Sequence, residues 1–313
     1  MSTATATLLS DVLTPEDIVR GVTHLPSAPK VLPRLKRLLG DANSSMAEVV
    51  ALIRLDPGIS ARVLRVGNSI YYSKGVRCHT VDEAVNRVGY DQVYELVSFA
   101  VASQVLVRPL AVYAIEADEM WRRSVACALA AETLAARTGQ DRDIAYTAGL
   151  LHALGMVAID EWALRWRPGL ALADGGLPRE ATERERAALG FTQADVGAAL
   201  LRHWDFPRSM TEPVRWQYAP RASASAARMA GLLHCAKWLR AVVCAAAGAP
   251  PPPLPAEAVL QLVPLRAAEL PGLARTVGAR LQEISSLLEI EAAGHETVRR
   301  HFPAQAWMAA AAG

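Results

Sequence analysis

Aromatic residues, excess charge and long apolar segments are all scarce in this sequence. Phe, Trp and Tyr make up 6% of the 313 residues, and alanine-rich stretches are frequent, a composition that favours helix over sheet. The 33 basic and 31 acidic residues nearly balance, so there is no broad positive surface for nucleic acid or an anionic membrane. No apolar run reaches the roughly 18 residues that a membrane-spanning helix requires. We therefore expect neither a nucleic-acid partner nor a membrane span.

The sequence also lacks metal-binding cysteine pairs and a secretory signal. Cys78, Cys127, Cys235 and Cys244 include no C-x-x-C spacing. The last three stand in apolar helical segments, where they are predicted to be small core residues. Residues 1–10 contain neither the basic nor the apolar region of a secretory signal. These features favour a reducing, cytoplasmic compartment.

The motifs of several common catalytic sites do not occur either. The sequence contains no G-x-S-x-G nucleophile motif, no P-loop, no dinucleotide-binding glycine motif and no H-E-x-x-H zinc motif. A charged run is predicted to lie on an exposed helix and not to form a carboxylate pair. Its residues are Glu183, Arg184, Glu185 and Arg186.

What the sequence does contain is a succession of helix boundaries. Thr14, Ser45 and Thr80 are predicted N-caps, each followed three residues later by an acidic residue, and Asp56 before Pro57 starts a further helix. Because proline lacks the backbone N–H, a break or kink is expected at Pro213, inside a short helical pattern. Longer helices are predicted over 116–138 before Gly139, over 143–154 before Gly155, over 192–204 and over 225–247.

Two proline-containing segments, 107–110 and 248–255, divide this helical pattern. The fold is therefore predicted to be all-α. An N-terminal helical bundle is predicted at 14–109, a second bundle at 116–247 and a C-terminal helical extension at 255–294.

An ordered set of motifs along these helices resembles the HDOD domain family. The pieces are L-P-S-A-P at 25–29, D-P-G-I-S-A-R-V-L-R-V-G-N-S at 56–69, T-V-D-E-A-V-N-R-V-G at 80–89 and A-G-L-L-H-A-L-G at 148–155. Each piece is weak alone, and their order carries the resemblance. The second half of HDOD proteins is similar to HD phosphohydrolases. The resemblance therefore implies an N-terminal HDOD subdomain packed on a degenerate HD-like helical bundle.

HD phosphohydrolases hold metal ions with His and Asp side chains, and the metal activates a water molecule for attack on phosphorus. In the register that the resemblance gives, His152 is the one ligand retained. A guanidinium or ammonium group repels a metal ion, so the resemblance implies no catalytic metal, no cofactor and no hydrolase activity. The residues at the other ligand positions are Arg123, Ala153, Gln193, the pair Gln217 and Tyr218, and Lys237.

The resemblance implies a bacterial regulatory module, and two hypotheses follow. In the first, the chain acts through protein–protein interaction with a signalling or regulatory protein. In the second, it is a sensor that binds a cyclic dinucleotide, a guanosine polyphosphate or another phosphorylated ligand. That ligand would occupy the relic pocket, defined as the site formed by Arg123, His152, Gln193, Gln217 and Lys237. The two cations could instead pair with Glu132 or Asp195 and leave the pocket empty.

Three other residues have structural interpretations. Asn68 is predicted to bond backbone carbonyls where its helix ends, as asparagine often does. Trp162 and Trp166 are spaced four residues apart, which places them on one helix face, and core or interdomain packing is favoured for both over a recognition cage.

Overall fold

The computed structural model describes residues 13–22, 38, 44–73, 75–89, 93, 109–172, 178–245 and 249–287. Within these ranges the chain forms helices and no sheet, so the predicted all-α fold is confirmed. The α-helices, in chain order, are α1 Pro15–Arg20, α2 Met46–Ile53, α3 Pro57–Gly67, α4 Ile70–Ser73, α5 Val81–Val88, α6 Ala117–Thr138, α7 Arg142–Leu151, α8 Leu154–Trp166, α9 Pro178–Leu189, α10 Gln193–His203, α11 Arg208–Trp216, α12 Ala227–Val243, α13 Glu257–Leu260 and α14 Leu270–Leu287.

Single 3-10 turns connect some of these helices, at Ala111–Tyr113, Pro220–Ala222 and Ala267–Glu269. None of the helices in the described part is both long enough and apolar enough to cross a membrane. The L-P-S-A-P motif at 25–29 lies outside the described residues.

The predicted N-caps hold the first helices in place. The Thr14 and Ser45 side chains accept bonds from the third residue of α1 and α2, and the acidic side chain there bonds back to the cap. Asp56 is buried and accepts a bond from the Ile59 backbone N–H at 2.9 Å, which starts α3. Thr80 caps α5 in the same way. The helix starts in the N-terminal part were thus predictable from local capping chemistry.

The second half of the chain is organised around α6. This 22-residue helix packs against α7, α12 and α14, and α12 also contacts α11 and α14. Helix α10 packs between α8 and α11, and α1 lies against α10. Alanines fill much of the buried face of α6, which lets the surrounding helices approach closely. Two ion pairs connect the C-terminal part to α6: Arg137 with Glu269, in the turn before α14, and Glu132 with Arg280 of α14.

Side chains from the second half of the chain donate hydrogen bonds to backbone carbonyls in the N-terminal part. The Trp121 indole N–H donates to the Leu55 carbonyl at 2.7 Å. The Tyr146 hydroxyl donates to the Arg54 carbonyl at 3.0 Å, and the Arg54 guanidinium lies 4.6 Å from the centre of that tyrosine ring. Because these bonds satisfy carbonyls at the end of α2, they stabilise that helix end and the junction together.

Two helix predictions were wrong in detail. The helix predicted over 143–154 ends at Leu151, and a new helix begins at Leu154, so that Gly155 lies inside α8. Of the break or kink expected at Pro213, the break is wrong, because α11 runs through this residue. The chain changes direction at His152 and Ala153. This is earlier than the sequence predicted, because Gly155 was expected to end the helix.

Two glycines on either side of this junction permit close helix packing. A Cβ atom on Gly149 would lie 2.7 Å from the Cys127 carbonyl oxygen of α6. A Cβ atom on Gly155 would overlap the Gln193 carbonyl oxygen at the start of α10. The backbone atoms on both sides are fixed in helices, so neither contact can be relieved by moving a flexible side chain.

We predict that Gly155→Ala destabilises the protein by at least about 1–3 kcal/mol, the usual cost of overpacking a well-packed core. Gly272→Ala is the matched control, because a Cβ there meets only the far end of the Arg275 side chain at 3.9 Å. In the control, the higher helix propensity of alanine should leave stability unchanged or raised by up to about 1 kcal/mol. Urea unfolding followed by circular dichroism measures both. Equal stabilities of the two variants would contradict the close approach of α8 and α10.

Candidate functional site

A small pocket lies at the junction between α7 and α8, facing α6, α9, α10 and α12. Four of the residues predicted for the relic pocket meet there: Arg123, His152, Gln193 and Lys237. The fifth, Gln217, lies directly behind His152 and is not part of the lining. The space that the centre of a water molecule can reach inside is about 20 Å³. The full lining is Ile115, Met120, Arg123, His152, Ala153, Met156, Glu185, Gln193, Tyr218, Lys237 and Arg240.

His152 lies at the helix junction with 1% of its surface exposed. Its Nδ1 atom is 2.6 Å from the Gly149 carbonyl oxygen. A carbonyl can only accept, so Nδ1 carries the proton and Nε2 is an acceptor when the ring is neutral. Burial, with the positive charges of Arg240 and Lys237, lowers the pKa of His152 well below its usual value. The ring is therefore neutral at pH 7, and its Nε2 atom has no hydrogen-bond partner among the described residues.

Lys237 is an almost fully buried lysine, with 3% of its surface exposed. Its Nζ atom lies 3.1 Å from the centre of the Tyr218 ring, and it has no hydrogen-bond partner in the described ranges. Contact with an aromatic face stabilises the charged form in part. Burial and the nearby Arg240 guanidinium lower the pKa of Lys237 well below its usual value.

Two glutamines complete the polar framework. Gln193 donates from Nε2 to the Tyr218 hydroxyl at 2.8 Å. Gln217 donates from Nε2 to the His152 carbonyl at 2.9 Å and to the Val214 carbonyl at 2.8 Å. These bonds use the amide N–H groups of both side chains, and each Oε1 atom is buried without a partner in the described part of the chain. Gln217 thus supports the backbone of the junction, while Gln193 presents an acceptor inside the pocket.

Arg123 pairs with a neighbour on its own helix. Its Nη2 atom lies 2.6 Å from Glu119 Oε1, one turn earlier on α6. The pairing proposed from the sequence with Glu132 or Asp195 is wrong for Lys237, whose Nζ atom has no hydrogen-bond partner among the described residues. Glu132 contacts Arg142 and Arg280 instead, and Asp195 bonds to Thr192 at the start of α10. Glu132 is nine residues from Arg123, and α6 turns it toward the C-terminal helix.

Two charged residues in the pocket were missed in the sequence. Arg240 lies one turn after Lys237 on α12 and faces the same pocket. Glu185 was expected on an exposed helix, and that prediction is wrong: 1% of its surface is exposed. The Tyr113 hydroxyl donates to Glu185 Oε1 at 3.0 Å, and the Gln193 backbone N–H donates to Oε2 at 2.8 Å. The burial of Thr182 and Leu189 marks the inward face of α9 on which Glu185 lies.

The residues at this site do not fit a catalytic divalent metal. A hydrolytic metal site needs several carboxylate and imidazole ligands. Here Ala153 offers no ligand, and Arg123, Lys237 and Arg240 place positive charge around the one imidazole. Within the described ranges, no group of three or more His, Cys, Asp or Glu side chains is placed to hold a metal ion.

Comparison with known families decides the relationship. The HDOD domain matches residues 25–220, well over half of the chain. The chain belongs to the HDOD family. The HDOD domain is a degenerate HD-like domain.

Similar proteins come from several bacteria. An uncharacterized protein of Treponema pallidum (strain Nichols) is 27% identical over 203 residues, which are 63% of this chain and 38% of that protein. The MmoQ response regulator of Methylococcus capsulatus str. Bath matches in structure with a TM-score of 0.66 and 22% identity, over 81% of this chain and 99% of that one. A virulence factor of Campylobacter jejuni subsp. jejuni matches with a TM-score of 0.61 and 16% identity, over 86% and 100% of the two chains. These structures support the fold.

Residues elsewhere in this HDOD chain have structural contacts. Asn68 is buried and bonds both ways with the Cys78 backbone, so its expected partners at the end of its own helix were wrong. Trp162 packs on the core as predicted, whereas Trp166 is 62% exposed and is not a packing residue. The free thiols Cys127 and Cys235 are buried as expected, and Cys244 is partly buried.

We predict that Lys237→Met stabilises the protein at pH 7 by about 1–3 kcal/mol, the usual cost of an unsatisfied buried polar group. Because the folded-state pKa is lowered, the unfolded chain binds more protons at neutral pH, and wild-type stability rises as pH approaches the unfolded pKa of about 10.4. The advantage of the variant should therefore shrink from pH 7 to pH 10.

Thermal unfolding at each pH measures this difference. Arg208→Met, which removes one positive charge from an exposed position, is the control and should change stability by less than about 0.5 kcal/mol. A clear loss of stability in Lys237→Met at pH 7 would show that the Nζ atom has a strong partner in the folded state.

Proposed function

We propose that this HDOD chain is a non-catalytic signalling module that acts by binding a partner protein. The observation that carries the proposal is the chemistry of the relic pocket, where cations and amides stand at the positions that hold metal in the hydrolases. With Arg123, Lys237 and Arg240 around His152, the pocket cannot assemble a metal-activated water. Function then depends on surfaces that bind other molecules.

The descriptions of similar proteins support a role in signalling. MmoQ is described as a response regulator, and a protein of Marinobacter aquaeolei VT8 with a TM-score of 0.50 is described as a signal transduction protein. As part of the same proposal, the module works in the bacterial cytoplasm. Its cysteines in the described ranges are free thiols, which a reducing compartment would preserve.

An exposed apolar site at the end of α8 suits a partner protein. Trp166 is 62% exposed and Leu164 is 50% exposed on the last turn of this helix. The Arg165 guanidinium lies 5.4 Å from the centre of the Trp166 ring. Tryptophan and arginine are the residues that most often dominate protein interfaces, because they bury a large area and also form polar contacts. Trp166 is therefore the residue whose loss should weaken partner binding most.

The second candidate function is a sensor for a nucleotide second messenger. Three positively charged residues around one pocket favour it, since phosphate groups bind such clusters. The size of the pocket argues against it: about 20 Å³ of reachable space holds one or two water molecules. A cyclic dinucleotide or a guanosine polyphosphate would require the surrounding helices to move apart. Partner binding needs no such rearrangement.

The test begins with cross-linking in the native cell and mass spectrometry, and the protein identified is then purified. Titration calorimetry should show direct binding to the full chain. Trp166→Ser should weaken binding at least about tenfold, as loss of a central aromatic anchor does. Val76→Ser is the matched control, because Val76 is 64% exposed but lies in the loop before α5, and its affinity should be unchanged.

The double variant Arg123→Ala, Lys237→Ala separates the two candidates. If the chain acts by binding a partner protein, this variant should bind that partner with wild-type affinity. If no purified candidate binds the wild type, while a cyclic dinucleotide or guanosine polyphosphate binds it and not the double variant, the sensor function replaces the proposal.

A further inference from the structure

Four buried polar atoms around the pocket lack hydrogen-bond partners in the described part of the chain. Two are donors, Lys237 Nζ and Arg240 Nε, and two are acceptors, His152 Nε2 and Gln193 Oε1. All four residues line the same cavity. An unsatisfied buried polar group is costly, and such groups seldom cluster without a ligand or solvent that bonds to them. The set requires a molecule that both accepts and donates hydrogen bonds.

The charges around the cavity favour an anion. Arg123, Lys237 and Arg240 bring positive charge, and each lowers the pKa of His152 through its field. Glu119 offsets Arg123 by a direct ion pair, and Glu185 is the carboxylate in the lining. When Lys237 is protonated, a positive charge therefore remains in excess, and a bound monoanion would neutralise it. Binding would also favour the protonated ammonium.

The acceptors restrict the kind of anion. His152 Nε2 is an acceptor, because Nδ1 uses its proton on the Gly149 carbonyl. Gln193 Oε1 is an acceptor, because Nε2 of the same amide donates to Tyr218. A chloride ion or a fully deprotonated carboxylate would repel both atoms. An oxyanion that keeps an O–H group can donate to one of them and accept from the cations with its other oxygens.

We propose that the pocket binds a small hydroxylated monoanion, hydrogencarbonate or dihydrogen phosphate. Its O–H group donates to His152 Nε2 or Gln193 Oε1, and its charged oxygens accept from Lys237 Nζ and Arg240 Nε. The oxyanion is larger than the one or two water molecules that the cavity holds, so the lining side chains must shift slightly to admit it, whereas a nucleotide would require whole helices to move apart. This binding is independent of the partner-protein function, and neither requires the other.

The experiment is titration calorimetry of the full chain, with scanning calorimetry alongside it. Sodium hydrogencarbonate and sodium phosphate are tested in separate arms against sodium chloride at equal ionic strength and pH. At least one oxyanion should bind and raise the melting temperature above that in chloride, since a ligand of the native state stabilises it. The arm that responds identifies the anion.

Lys237→Met should weaken that binding by about tenfold or more, because it removes a charge-assisted hydrogen bond. Arg208→Met, with the same charge change at an exposed position, should keep the wild-type affinity. A second pocket variant, Arg240→Gln, is an independent test and should also bind the oxyanion more weakly. The proposal is overturned if neither oxyanion binds better than chloride, or if both pocket variants bind as the wild type does.

Discussion

The close approach of α7 and α8 to the helices around them is the constraint on which this HDOD structure depends. Gly149 lets α7 lie against the backbone of α6, and Gly155 lets α8 lie against the first residue of α10. Between them the chain turns at His152 and Ala153, and Gln217 holds the turn by donating to the His152 carbonyl. The imidazole is thereby fixed at the place where α6, α10 and α12 meet. The other side chains that line the pocket come from the helices and turns around this junction.

The resemblance to HD phosphohydrolases implies metal ligands in this pocket, and the side chains that line it carry three positive charges instead. Lys237 and Arg240 project from α12, Arg123 projects from α6, and the carboxylate of Glu185 is bound to Tyr113 and to the backbone of α10. A lysine buried without a hydrogen-bond partner is unfavourable for folding, and functional sites often retain such groups.

How much of this was predictable from the sequence depended on the kind of signal. Motif order placed Arg123, His152, Gln193 and Lys237 together, because the family's helices fix their register. Arg240 was missed although it follows Lys237 by one turn. Glu185 was predicted to be exposed, because a run of alternating charges is typical of a solvent-facing helix. The sequence does not show which face of that helix packs against the core. Gly155 looked like a helix stop, and only the position of α10 shows that it permits a close contact.

The central claim is that this pocket does not hold a catalytic metal, because its residues repel one. Elemental analysis of the full chain, purified without chelator from cells supplied with manganese, iron, magnesium and zinc, tests it most directly. The account predicts less than stoichiometric amounts of each metal, with no difference between the wild type and His152→Ala. Near-unit occupancy by one metal in the wild type, lost in His152→Ala, would contradict the account.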